Sequence, residues 1–115
     1  MEGQSVRQNK ISKLILTNLA ELFQLRGFSA FGGAMITVTE VRISPDLSYA
    51  KVYLSVFATS KSKEEVLELV KKETSTFRYD LGKRIKNSVR IIPEISFFLD
   101  ETLDQLEKID DLLKK

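Results

Sequence analysis

The chain has 115 residues, 43% of them hydrophobic and 30% charged, which fits one soluble globular domain with one ordinary core. Basic residues number 18 against 16 acidic ones, so the net charge of +2 alone points to no class of partner. The absence of cysteine and histidine excludes disulfides, thiolate or imidazole metal sites, and Ser-His or Cys-His nucleophiles.

The longest apolar runs are far too short to span a membrane, and the N-terminus lacks the pattern of a signal peptide. The expected location is the cytoplasm. Charge is unevenly distributed: between Lys71 and Arg90 seven basic residues face only Glu73 and Asp80, whereas from Glu94 onward seven acidic residues face three lysines. That asymmetry predicts a positive face and an acidic tail.

Ser5 to Arg26 reads as a long first helix. Ser5 and Gln8 form a capping box, and Ile11, Leu14, Ile15, Leu19, Leu22 and Phe23 recur at helical spacing as its buried stripe. Gly27 is placed to end it. Arg7, Lys10 and Lys13 lie off the stripe. They read first as a solvated face and second as additional phosphate contacts.

In the loop that follows, Phe28 and Phe31 read as packing on the edge of the core, with base stacking as the less favoured alternative. Met35 to Ile43 is rich in β-branched residues and reads as the first strand. Its alternation slips at Thr39 and Glu40, which predicts a bulge. Ser44-Pro45-Asp46-Leu47 is a turn, and Ser48 to Phe57 is the second strand of the resulting hairpin. Ala50, Val52, Leu54 and Val56 share one strand face. Tyr49, Lys51, Tyr53, Ser55 and Phe57 share the other.

Ser62 to Asn87 reads as a second helical region, opened by a Ser62–Glu65 capping box. Val66, Val70, Phe77, Leu81 and Ile85 keep one helical phase through it. Thr74-Ser75-Thr76 weakens the helix, because short hydroxyl side chains compete for backbone groups; a kink is expected there. Gly82 weakens it further and suggests close packing on the sheet. Lys71, Lys72, Arg78, Lys83 and Lys86 fall on the arc opposite the apolar stripe. The carboxylates of that arc, Glu64, Glu65 and Glu68, all precede the kink. A solvated helix face and a phosphate-binding face are evenly matched readings.

Arg90 to Asp100 reads as a third strand, with Ile91, Ile95, Phe97 and Leu99 on one face. Pro93 places it at an edge or a bulge. Beyond it, Leu103, Leu106, Ile109 and Leu113 give a partial stripe on an acidic helix or tail at 101–115. The expected architecture is α+β, with helices on one face of a three-stranded sheet. No spacing of residues suggests catalysis, and the adjacent Asp110 and Asp111 read as solvated acids. The competing classes are an RNA-binding factor and a protein-interaction module that uses a sheet edge or the acidic tail.

VTEVRISPDLSYAKVYLSVF, from Val38 to Phe57, resembles the hairpin of the ribosome-binding factor A family. FRYDLGKRI followed by VRIIPEISFFLD, between Phe77 and Asp100, resembles its second signature. The resemblance implies a type II KH-like domain over 1–100, ordered α-β-β-α-kink-α-β. It implies a bacterial, non-enzymatic assembly factor, which binds the small (30S) ribosomal subunit and promotes late maturation of 16S rRNA through a basic kinked helix. No cofactor, metal or membrane is implied, and the chain is expected to act as a monomer. RNA contacts carried over by matching position are Lys72, Ser75, Arg78, Lys83, Arg84 and Lys86; Lys71 joins them from the basic arc. The family's kink has a small residue, often followed by serine and glycine, whereas this chain has no glycine there. Its loop before the first strand also departs from the family's more polar, proline-containing form.

Overall fold

In the computed structural model the described residues are 4–101, apart from the side chains of Phe28 and Ser29. The expected acidic helix at 101–115 therefore falls almost wholly outside them. The first helix, α1 (Val6–Arg26), starts from the N-cap Ser5, whose hydroxyl accepts the Gln8 N–H while the Gln8 side chain accepts the Ser5 N–H. Gly27 ends it at φ 73°, a left-handed backbone that costs glycine nothing. A 3₁₀ turn at Phe28–Phe31 then carries Phe31 into the core, where it is buried beside Phe23 and Phe77.

Strands β1 (Met35–Ile43) and β2 (Tyr49–Phe57) pair antiparallel. Val38 stands opposite Leu54 and Glu40 opposite Tyr53, so Thr39 is the extra residue of the expected bulge. Strand β3 (Glu94–Leu99) pairs parallel with β2, giving the order β1-β2-β3 with β2 in the centre. The parallel pairing requires a crossover, and two helices supply it: α2 (Lys63–Lys72) and α3 (Thr74–Ile85). This is the α+β, KH-like arrangement expected of the sequence.

The core lies between the helices and one face of the sheet. Ala50, Val52 and Leu54 of β2 are fully buried, as are Ile15, Leu19, Val66, Val70, Phe77 and Leu81 of the helices. Polar Gln8 and Ser12 share α1's buried face. Gln8 Nε2 donates to the Ile43 carbonyl at 3.0 Å, and Gln4 Oε1 accepts the Ile43 N–H at 3.0 Å. The two amides thereby occupy the outward backbone groups at the end of β1.

Three expectations are corrected. β3 begins at Glu94, not Arg90, and Ile91 is 64% exposed instead of lying on the buried face. Pro93 has no N–H for a ladder, and Arg78 holds both the Ile92 and Pro93 carbonyls, so pairing starts only after the proline. The helix break falls on Glu73, at φ −99° and ψ 10°, and Thr74-Ser75-Thr76 form the first turn of α3. Glu73 closes the last turn of α2 with its own N–H on the Val70 carbonyl, while the Thr74 hydroxyl donates to Lys71 O at 2.7 Å. Gly82, finally, meets the segment before the sheet: a Cβ placed on it comes 3.3 Å from Ile92 Cγ1.

Candidate nucleic-acid interface

The break at Glu73 turns the chain without losing the apolar phase, so Val66 and Val70 of α2 and Phe77, Leu81 and Ile85 of α3 all remain buried. The opposite arc stays outside. A shallow groove of about 760 Å³ runs along it, between α3 and the strand-entry segment. Ser75, Arg78, Tyr79, Lys83 and Lys86 line one side, and Ile92 and Glu94 the other. No side-chain hydrogen bond caps the start of α3, which follows the end of α2 directly, with Glu73 shared as the cap of both helices.

The groove's cations are held differently. Arg78 donates through Nε to Pro93 O at 3.0 Å and through its terminal nitrogen to Ile92 O at 2.7 Å, so it fixes the groove wall. Lys83 places its ammonium 4.7 Å from the centre of the Tyr79 ring. Lys86 is exposed at the far end. Lys71 and Lys72 are exposed just before the break, and Lys71 lies 3.4 Å from Glu68.

The two acids inside the basic segment are turned elsewhere. Arg26, at the end of α1, reaches Glu73 at 2.9 Å and Asp80 at 3.6 Å, and its guanidinium sits 4.2 Å above the Phe77 ring. Both carboxylates are thereby drawn to one guanidinium on the side facing α1, and among the described residues Glu94 is the acid that lines the groove.

Of the residues expected to bind RNA, the structure gathers Ser75, Arg78, Lys83 and Lys86 in one groove. Arg84 is elsewhere: it faces α1, where it bonds Glu21 and Asn18. Lys10 and Lys13 are exposed on α1 outside the groove, and Arg7 belongs to a different cleft. Sequence reasoning left out Tyr79, although its spacing from Ser75 and Lys83, four residues either way, is the helical signal that places it between them. It also left out Arg26, for which a basic residue in a last helical turn gave no hint of its partners.

A family model described as ribosome-binding factor A matches residues 7–113. The ribosome-binding factor A of Cytophaga hutchinsonii is 45% identical over 112 residues, 97% of this chain and 84% of that relative. The crystal structure of ribosome-binding factor A from Thermus thermophilus superimposes with a TM-score of 0.66 at 25% identity, covering 80% of this chain and 94% of that one. Coordinates of a Thermus thermophilus ribosome-binding factor A, fitted into a cryo-EM map of its 30S complex, give a TM-score of 0.61 at 21% identity. They cover 85% of this chain and 96% of that one, and the likeness bears on the fold.

Proposed function

The chain belongs to the ribosome-binding factor A family, and from that premise we propose that it binds the small ribosomal subunit by laying RNA backbone along the α3 groove. The observation that carries this reading is the separation of charge about α3: Lys83 and Lys86 line the groove, while Glu73 and Asp80 are drawn to Arg26 on the other side. Phosphates supply the affinity of such a site, and the shape of the bent helix pair supplies most of its selectivity. Arg78 sets the groove's width by holding Ile92 and Pro93. Lys83, Lys86 and Lys71 meet phosphate, and the Ser75 hydroxyl adds a donor in the first turn of α3.

The factor acts during late maturation of 16S rRNA and carries out no chemistry of its own. Binding at an open sheet edge is disfavoured at the Ile43 end of β1, where Gln4 and Gln8 already occupy the outward backbone groups. Crosslinking in cells tests the reading, followed by identification of the attached RNA. Recovery of precursor small-subunit RNA is the expected result. Recovery of messenger RNA without preference contradicts it.

A further inference from the structure

The segment that walls the groove has a second concave side. Ile92 and Glu94 line the groove, whereas Ile91 and Pro93 line a separate cleft of about 520 Å³. That cleft lies between the first turn of α1, the β1–β2 turn and residues 87–93. Its volume is in the range of small-ligand clefts. Leu47 and Val89 contribute apolar wall and pack half-buried on the core. Ile91 adds apolar surface that is 64% exposed and that the core does not use. Arg7 and Arg90 supply two guanidinium groups.

Two observations define the occupant. The first is composition: apolar wall beside two arginines matches a base with its phosphate, since guanidinium both pairs with phosphate and stacks on planar rings. Among the described residues the one carboxylate there, Asp46, is outnumbered, and its Oδ1 already accepts from the Ser44 hydroxyl and from the hydroxyl and N–H of Ser48. The second is continuity. Lys86 ends the groove, and the next residues, Asn87 and Ser88, line the cleft.

We propose that this cleft receives one unpaired nucleotide of the RNA whose backbone lies along the groove. Its base rests on Ile91 and Leu47, and its phosphate lies between Arg7 and Arg90. The proposal rests on the RNA-binding reading of the groove. It makes the protein selective for RNA with a base free to leave the stack, a bulge or single strand over a continuous duplex.

The test is a titration of the isotope-labelled full chain with a short single-stranded RNA and, separately, with the duplex of the same sequence, followed by backbone amide shifts. The single strand is expected to move the amides of Leu47, Val89 and Ile91 together with those of Ser75 and Tyr79, and the duplex only the latter pair. In the Arg7→Gln/Arg90→Gln variant the cleft shifts are expected to vanish, the salt slope of binding to fall by about one, as for one lost phosphate contact, and the preference for single strand to disappear. Groove shifts without cleft shifts overturn the nucleotide site and leave the groove reading standing. Silence at both sites overturns both. Cleft shifts produced by RNA-free small-subunit proteins, and not by RNA, mark a protein-docking site and overturn the proposal.

Discussion

Arg78 stands on the basic arc of α3, yet its guanidinium is engaged within the protein. Two bonds to the Ile92 and Pro93 carbonyls tie the helix to the entry of β3. A hydrogen bond from a charged donor contributes about 1.5–3 kcal/mol when buried and less at an exposed side chain such as this one, so loss of both in Arg78→Ala is expected to destabilise by about 1–3 kcal/mol in denaturant unfolding. A purely phosphate-binding arginine changes stability hardly at all. Asp46 shows the same point for a carboxylate. Hydrogen bonds from the Ser44 and Ser48 hydroxyls, then from the Ser48 N–H, hold its pKa down from 3.8 to about 2. A lowered folded-state pKa means that the turn's contribution is complete above the unfolded value and is lost as pH falls through the folded one. The Asp46 carboxyl is therefore expected to titrate near pH 2 by NMR, and in Asp46→Asn the hairpin's acid response between pH 3.8 and about 2 is expected to disappear.

The break between α2 and α3 is the element-scale feature on which the groove depends. Its position was only partly legible in the sequence. Unbroken apolar phase from Val66 to Ile85 announced a bent but continuous pair, and the hydroxyl run marked the neighbourhood. The residue that breaks is Glu73, and its partner is distant in sequence: Arg26 pairs with its carboxylate and lies over Phe77. Arg26→Ala is expected to cost about 1–2 kcal/mol through the lost cation–π contact and ion pairs, and to speed amide exchange around Glu73. Gly82 sits one turn from the end of α3 against Ile92. Alanine there gains about 1 kcal/mol of helix propensity but brings its Cβ to 3.3 Å from Ile92 Cγ1. Valine overfills the contact, so Gly82→Val is expected to destabilise by about 1–3 kcal/mol in thermal or denaturant unfolding.

At the scale of the whole molecule, the layers were legible because burial imposes strict periods on strands and helices. The alternation of β2 and the capping boxes at Ser5 and Ser62 all stand where the sequence puts them. The site was legible only as a list of cations. Helical phase puts Lys86 on the basic arc and leaves Arg84 off it, but the Glu21 partner of Arg84 comes from α1 and nothing near Arg84 in sequence announces it. Nor does Ile91 differ in type from the buried residues near it; its exposure follows from Pro93 delaying the strand. The central claim is that the lysines beside this groove bind RNA and leave the fold alone. The most direct measurement compares the Lys71→Glu/Lys83→Glu/Lys86→Glu variant with the natural chain, by thermal unfolding and by binding to small-subunit RNA across a range of salt. Solvated lysines contribute little to stability, so unfolding is expected to change by no more than about 1 kcal/mol. Affinity is expected to fall steeply, and the salt slope to decrease by about three. A folded variant with unchanged affinity and unchanged slope contradicts the account.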